Sequence, residues 1–289
     1  MARTIITLGM VCALIGCDSP DTANNVIVDR ASNNATSNNG SPSNNSSASN
    51  GTSGSNQQST GNGCSETGVV TFDTTDDVTI TADFHPASSA DRGAVVLLHM
   101  IPPNWDRSSY PLRVRTALQD LDLNVLNIDR RGAGDSTGTA RDAYEGAATS
   151  LDVEAAVAFL LDEARSCAVD GAKLMLVGAS NGTTSVYDYT AARVNMELPA
   201  PAAMVWLSPG TYTVAQNALA DHPLSELPLL IVHPDNEPWS TQLAAVPEAW
   251  KVVEIASGQH GTQNFDDGAL EAIQLPEILS WAERHIAPQ

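Results

Sequence analysis

The chain has 289 residues, enough for one or two domains, and its composition is strongly acidic. Its 14 Lys and Arg residues stand against 34 Asp and Glu residues, which gives a formal net charge of −20. A surface of this charge repels phosphate backbones, so the composition argues against nucleic acid as a partner. We interpret the acidity as a means of keeping an exported protein soluble, with steering of a cationic substrate as the alternative.

The N-terminus has the features of an export signal. Arg3 supplies a positive charge, and Ile5 to Ile15 is an apolar stretch too short to span a bilayer as a mature helix. It ends in Leu-Ile-Gly-Cys, which resembles the lipobox of bacterial lipoproteins, where the signal is cleaved before the cysteine and the thiol is acylated. We therefore predict a signal peptide over residues 1–16, lipidation of Cys17, and export to the bacterial cell envelope, with the lipid anchored in a membrane facing the periplasm or at the cell surface. An ordinary signal peptide cleaved elsewhere is the alternative, and mass spectrometry of the mature N-terminus distinguishes the two.

The next segment has the composition of a linker. From Ala31 to Gly63 there is no charged residue and no Val, Ile, Leu, Met or aromatic residue. Such a segment cannot bury enough apolar surface to offset the entropy lost on ordering. We predict that residues 17–63 form a disordered linker, with a root-mean-square reach of roughly 30 Å over the Asn- and Ser-rich part, and that residues 64–289 form the folded domain.

Four cysteines are present, Cys12, Cys17, Cys64 and Cys167, and none lies in a C-x-x-C pair or near a histidine in sequence. We therefore expect no metal site, and no motif calls for a cofactor. If Cys12 leaves with the signal and Cys17 is lipidated, two thiols remain. Exported compartments are oxidising, which favours a Cys64–Cys167 disulfide, with two separate thiols as the alternative.

The folded part alternates predicted strands with predicted helices. Val69–Phe72 and Val78–Phe84 alternate apolar and polar residues, as half-buried antiparallel strands do. Later runs are continuously apolar, as in parallel strands covered on both faces: Ala94–Leu98, Asn124–Ile128, Lys173–Val177, Ala203–Leu207, Leu229–Val232 and Val252–Ile255. Helical periodicity covers Ser108–Leu121, Leu151–Ala164 and Leu270–His285. This order predicts an α/β domain with a mainly parallel sheet and a site at the carboxyl ends of its strands.

A candidate nucleophile lies between a predicted strand and a helical stretch. Gly178-Ala179-Ser180-Asn181-Gly182 has the pattern G-x-S-x-G in the strand–turn–helix setting that a nucleophile elbow requires. Glycines are needed there because neighbouring backbone comes too close for a Cβ. The turn would expose the Ser180 hydroxyl at a helix N-terminus, where backbone N–H groups stabilise negative charge.

A serine hydroxyl needs a base, and four histidines follow it in the chain: His222, His233, His260 and His285. His260 lies in a glycine-flanked loop directly after the last predicted strand, so we predict it to be the base. His285 falls in the last turn of the terminal helix, where a surface role is expected. The acid that orients the imidazole should come from the loop after Leu229–Val232, which offers Asp235 and Glu237.

Several of these segments resemble motifs of one superfamily. The run LLHMIPPN is similar to a strand followed by His-Gly-x, NIDRRGAGDS to D-x-R-G-x-G-x-S, PLLIVHPDNE to P-V-L-x-x-H-G-x-x-D, and SGQHG to G-x-G-H. From about Gly93 to its end the chain resembles the α/β-hydrolases, particularly small esterases and dienelactone-hydrolase-like members. The resemblance implies an α/β-hydrolase fold, with a mostly parallel sheet and helices on both faces.

The resemblance also implies a reaction and the residues that perform it. The triad would be Ser180, His260 and Glu237, with Asp235 as the alternative acid, and the oxyanion hole would use the backbone N–H groups of Ile101 and Asn181. The expected reaction is hydrolysis of a small or short-acyl carboxylic ester through an acyl-enzyme. The alternatives are a peptidase or acyltransferase using the same triad, or a non-catalytic surface binding module.

The chain departs from the superfamily's pattern beside the oxyanion hole and the acid. Met100 and Pro234 stand where glycine is usual. Met100 and the Pro102-Pro103 pair make the position of the Ile101 N–H depend on the fold of this loop.

Two other segments bear on substrate size and on binding. Only Ser208–Pro228 separates two predicted strands where a cap is usually inserted, so we predict no large cap domain and an open site. An apolar wall formed by Trp105 and Tyr110 is the feature that would admit a longer acyl chain. We expect the arginines of Asp129–Ser136 to tie their loop to neighbouring carboxylates, with substrate binding as the alternative.

Overall fold

A computed structural model describes residues 66–144, 146–163, 168–192, 197–210, 216, 223–237 and 246–288. The strands in these ranges are β1 (Gly68–Asp73), β2 (Thr79–His85), β3 (Arg92–Leu98), β4 (Asn124–Ile128), β5 (Val169–Ala179), β6 (Ala203–Leu207), β7 (Leu229–Pro234) and β8 (Trp250–Ile255). They form one sheet in the order β1-β2-β4-β3-β5-β6-β7-β8.

The direction of the strands follows their hydrophobic pattern. The two alternating segments, β1 and β2, pair antiparallel with each other, and β2 pairs antiparallel with β4. All other pairs are parallel. The predicted α/β class with a mostly parallel sheet is confirmed, and the carboxyl ends of β3 to β8 meet at one edge of the sheet.

The α-helices given for the described residues are α1 (Leu112–Gln119), α2 (Ala147–Leu161), α3 (Gly182–Ala192) and α4 (Gly268–His285). The predicted helix over Ser108–Leu121 is wrong at its start. Tyr110 has an extended backbone because a residue before proline is disfavoured in the α region, so α1 begins only after Pro111. The preceding Arg107–Ser109 forms a separate 3₁₀ turn, whose N-cap carboxylate, on Asp106, accepts from the Ser108 N–H at 2.8 Å.

Helices cover both faces of the sheet, as predicted. On one face, α2 and α3 pack on one set of alternate strand residues, including Val96, Leu176 and Ile231. On the other face, α1 and α4 pack on the intervening residues, including Val95, Val177 and Val232. This double coverage is the reason that the central strands read as continuous apolar runs.

Several sequence predictions fall outside the described residues. They concern the signal peptide and linker over residues 1–63, the lipidation of Cys17 and the Cys64–Cys167 disulfide, and all stay predictions. Only part of Ser208–Pro228 is described, so the absence of a cap domain rests on the length of that segment. None of the described helices combines the length and apolar character needed to cross a membrane.

Candidate active site

Ser180 lies at the turn between β5 and α3, at the carboxyl edge of the sheet. Its φ of +50° is in the left-handed region, which a residue with a side chain adopts only when its surroundings hold it there. The Ser180 N–H donates to the carbonyl of Leu207 at 2.8 Å, which ties the turn to the adjacent strand β6. The backbone is therefore the strained turn that the G-x-S-x-G pattern predicts.

Both glycines of this turn are required by close backbone contacts. A Cβ on Gly178 would lie 2.6 Å from the carbonyl oxygen of Gly182. A Cβ on Gly182 would lie 2.5 Å from the carbonyl oxygen of Leu98, at the end of β3. These distances are too short for any side chain, so the steric reason predicted for the two glycines is confirmed.

His260 and Glu237 form a hydrogen-bonded pair at the same edge. His260 follows β8, Glu237 follows β7, and the His260 Nδ1 lies 2.5 Å from Glu237 Oε1. Because a carboxylate only accepts hydrogen bonds, His260 donates from Nδ1 and keeps Nε2 as a proton acceptor. Glu237 is only 6% exposed, so its charge faces the imidazole with little screening by water.

Asp235, the alternative acid, has a different partner. Its side chain is exposed, and its Oδ1 accepts from the N–H of Ser257 at 3.1 Å. Asp235 therefore supports the turn after β8 that leads to His260, whereas Glu237 contacts the imidazole itself.

The loop that carries His260 is anchored on both sides of Gly261. The Gly261 N–H donates to the hydroxyl of Ser208 at 2.8 Å, and its carbonyl accepts from Gln274 of α4 at 3.3 Å. The amide of Asn264 joins Gln274 Oε1 to the N–H of Gln259. Sequence reasoning missed Ser208. Ser208 directly follows β6 as Ser180 directly follows β5, and the last residues of the two strands are paired. Its position after a predicted strand is the feature of the sequence that could have indicated a site residue.

The chain neighbours of Ser180 and His260 pack together. A Cβ on Gly261, which has a φ of +58°, would lie 3.6 Å from the Cβ of Ala179 and 2.8 Å from the sulfur of Met100. Met100, which stands where the superfamily usually has glycine, is buried in the core cluster beneath this loop. Its side chain therefore does not occupy the space in front of Ser180. The fold thus brings the loops after β3, β5, β7 and β8 to one place.

The two backbone donors expected for an oxyanion hole lie on two of these loops. Ile101 follows β3, and Asn181 precedes the first turn of α3. Within the described part of the chain, neither the Ile101 N–H nor the Asn181 N–H has an acceptor. Donors at a helix N-terminus have no intrahelical partner, so the Asn181 N–H is available to a developing oxyanion.

His99, at the end of β3, is a buried neutral histidine. Its Nε2 accepts from the N–H of Arg130 at 2.9 Å, so Nδ1 carries the proton and donates to the carbonyl of Met100 at 2.8 Å. Burial, with the nearby charge of Arg130, lowers the pKa of His99 from an ordinary 6.5 to about 3. His99 therefore supports the oxyanion loop as a neutral group and is not a second base.

This burial makes stability depend on pH. Between pH 6.5 and 3 the unfolded chain protonates His99 and the folded chain does not, so stability is lost as pH falls through this window, by at most about 1.4 kcal/mol per pH unit. We expect His99→Gln to be less stable at pH 7 and to lose less further stability between pH 6.5 and 4. Urea unfolding at several pH values measures this, and equal slopes in both proteins would refute it.

The arginines after β4 differ in their partners. The N–H and Nε of Arg131 donate to Asp152 at 2.9 and 2.8 Å, and its Nη atoms donate to Asp76. For Arg131 the prediction of a carboxylate-tied loop is confirmed. For Arg130 it is wrong, because its guanidinium contacts carbonyl, amide and hydroxyl oxygens instead.

The aromatic wall of Trp105 and Tyr110, the alternative to a site for short acyl chains, is not formed. Tyr110 is completely buried, packs against Phe265, and donates from its hydroxyl to the carbonyl of Leu98 at 3.3 Å. It therefore belongs to the core cluster on this face of the sheet. Trp105 is half-buried and lines a cavity of about 270 Å³ whose other walls are largely polar: Asn104, Asp106, Ser108, Ser109, Thr262 and Asp266.

Comparison with known proteins identifies the fold. No protein-family profile and no curated protein matches the chain. Among solved structures, a dienelactone hydrolase from Anabaena variabilis superposes with a TM-score of 0.58 at 17% identity, covering 76% of this chain and 98% of that one. An esterase from Pyrococcus furiosus gives a TM-score of 0.56 at 17% identity, covering 77% and 92%. A thermostable carboxylesterase from a metagenomic library gives 0.58 at 16% identity, covering 78% and 90%.

These similarities, with the sheet order and the elbow, establish that the chain has an α/β-hydrolase fold. At such identities they establish the fold alone. The chemistry depends on the residues at the carboxyl edge of the sheet.

Proposed function

We propose that this protein is a serine hydrolase that cleaves carboxylic esters through an acyl-enzyme. The observation that carries the proposal is the Glu237–His260 hydrogen bond, formed at the sheet edge that also carries Ser180 in its strained turn. A serine, a histidine whose Nε2 can accept a proton, and a buried carboxylate behind that histidine are the parts that nucleophilic acyl transfer needs.

The proposed reaction has two half-reactions. Ser180 Oγ attacks the ester carbonyl while His260 Nε2 takes the hydroxyl proton, and the N–H groups of Ile101 and Asn181 receive the oxyanion. The tetrahedral intermediate collapses, the C–O bond to the alcohol breaks, and the imidazolium returns its proton to the leaving oxygen. Water, deprotonated by His260, then hydrolyses the acyl-enzyme and regenerates the serine.

The role of Glu237 in this scheme is electrostatic. It fixes the imidazole in the tautomer that presents Nε2, and it stabilises the positive charge that His260 carries in each transition state. The low exposure of the carboxylate strengthens that effect. The two backbone donors act on the negative charge, and each is expected to be worth about 10²–10³ in kcat.

We propose further that the substrate is small or has a short acyl chain. Ser208–Pro228 is too short for a lid domain with its own apolar core, and Tyr110 is unavailable as an apolar wall. The cavity beside Trp105 is largely polar and would stabilise an extended alkyl chain poorly.

A series of p-nitrophenyl esters from acetyl to lauroyl tests both proposals. We expect kcat/KM to be highest for the short acyl groups and to fall beyond about six carbons, because added methylenes gain little buried area. We also expect a fluorophosphonate probe to label the native protein and not the heat-denatured one. A steady rise to twelve carbons would contradict the short-acyl proposal, and an unlabelled, inactive protein would point to a binding module.

A further inference from the structure

Arg130 is a buried arginine whose guanidinium contacts neutral oxygens. It lies two residues after β4 and has no exposed surface. Within the described part of the chain no carboxylate is in hydrogen-bond reach of its guanidinium, whereas Arg131 beside it has two. Burying a charged group without a counter-charge in contact costs free energy, so the group is expected to be stabilised by the other polar groups that it contacts.

The guanidinium instead joins three loops through neutral acceptors. The Nη1 atom donates to two consecutive carbonyl oxygens, those of His99 and Met100, at 3.3 Å each. The Nη2 atom donates to Asn181 Oδ1 at 3.0 Å, to the Ser185 hydroxyl at 2.8 Å and to the carbonyl of Ala143. These partners belong to the loop after β3, the start of α3 and the segment before α2.

Two of these contacts act on the residues that supply the oxyanion donors. The carbonyl of Met100 and the N–H of Ile101 belong to one planar peptide group and point in opposite directions. By holding the Met100 carbonyl, Arg130 turns the Ile101 N–H away from itself. The side chain of Asn181 is held between Arg130 and the carbonyl of Tyr144, which accepts from its Nδ2 at 2.7 Å.

We infer that Arg130 is a positioning residue of the oxyanion hole, which sets the orientation of the Ile101 and Asn181 backbone N–H groups. It acts on the Ile101 N–H through the Met100 carbonyl of the same peptide group, and on the Asn181 N–H through the side-chain amide of Asn181. The inference rests on the proposed ester hydrolysis. The guanidinium also places a fixed positive charge behind the site, where negative charge develops on the substrate. Burial lowers its pKa only to about 10, so that charge is present at neutral pH.

Replacement of Arg130 by methionine or lysine tests the inference. Methionine removes both the charge and the donors, and lysine keeps the charge but cannot reach both carbonyls and Asn181 together. The number of active sites is first titrated with a fluorophosphonate, so that kcat is expressed per folded, reactive site. We expect kcat on p-nitrophenyl acetate to fall by about 10²-fold with methionine and by less with lysine, while KM changes less than threefold.

A trifluoromethyl ketone gives the readout that separates positioning from stability. Such a ketone forms a tetrahedral adduct with the serine, and its oxyanion occupies the hole. Its inhibition constant should rise by about the same factor as kcat falls, because both depend on the same two N–H groups. Ser185→Ala, which removes one partner of Arg130 and leaves the charge, should give a smaller change in the same direction.

Arg131→Met is the matched control, since this arginine is also buried but, among the described residues, its guanidinium is hydrogen-bonded to carboxylates. It should lower the melting temperature while kcat per titrated site and the ketone constant stay near wild type. If Arg130→Met does not fold, the lysine and Ser185→Ala variants carry the test. Unchanged kcat per site and unchanged ketone affinity in an ester-cleaving protein would overturn the role of Arg130 alone. A wild-type protein that neither cleaves esters nor reacts with the probe would overturn the proposed function together with this inference.

Discussion

Replacing Ser180 with alanine is expected to abolish fluorophosphonate labelling and to lower kcat for p-nitrophenyl acetate by about 10⁴–10⁶-fold. The hydroxyl is the only protein group that forms a bond to the acyl carbon in the proposed mechanism. The activity that remains would come from the oxyanion donors and from substrate binding. Steady-state hydrolysis and gel-based labelling of the purified protein measure both effects.

The fold should survive this substitution. The backbone hydrogen bond from the Ser180 N–H to Leu207 does not involve the side chain, and alanine bears the same strain at a φ of +50°. Thermal unfolding should therefore stay close to wild type. A Ser180→Ala protein that turns over esters at a near wild-type rate would refute the whole mechanism.

Ser208→Ala is an informative companion. Ser208 has the same φ of +50° at the end of the next strand, but its hydroxyl accepts from the N–H of Gly261. Its removal loosens the loop that carries His260 without removing a reacting atom. We expect labelling to persist and kcat to fall by only about tenfold. The contrast separates a nucleophile from a serine that positions the base.

The second large effect is expected at the carboxylate behind His260. Glu237→Gln should lower kcat by about 10³–10⁴-fold, because an amide can donate to Nδ1 and thereby favour the wrong imidazole tautomer, and because the imidazolium loses its counter-charge. KM should change little, since Glu237 does not reach the substrate in the proposed mechanism. The measurement is kcat against pH for the wild type and the variant.

Asp235→Asn is the matched control, two residues earlier in the same loop. Asparagine keeps an oxygen that can accept from the Ser257 N–H, so we expect kcat within about threefold of wild type. If Asp235→Asn were crippled while Glu237→Gln remained active, the acid would have been assigned to the wrong residue.

The fold followed from local features of the sequence. Alternating runs became the antiparallel strands β1 and β2, and continuous apolar runs became the central parallel strands, which helices cover on both faces. The pattern was wrong about burial in two strands: β2 is buried at most of its positions, and the edge strand β8 is largely exposed. The elbow at Ser180 was equally local. Its two glycines are demanded by backbone contacts within a few residues and with the adjacent strand β3.

The contacts that depend on the direction of a side chain were established only by the tertiary structure. Asp235 and Glu237 lie in one short loop with the same chemistry. The resemblance to the α/β-hydrolases favoured Glu237 as the acid, and the fold shows that Asp235 contacts Ser257 and that Glu237 contacts His260. The position of Tyr110 in the chain suggested a wall of the site, yet its side chain lies in the core against Phe265, a residue more than 150 positions later.

By itself, then, the amino-acid sequence determined the α/β class, the order of the predicted strands and the loops that carry Ser180 and His260, because period, glycine and proline act over a few neighbouring residues. The tertiary structure decided the partners of those loops. Ser208 and Arg130 reach residues more than thirty positions away in the chain, and no local pattern encodes contacts that exist only when separate strands end at the same edge of a sheet.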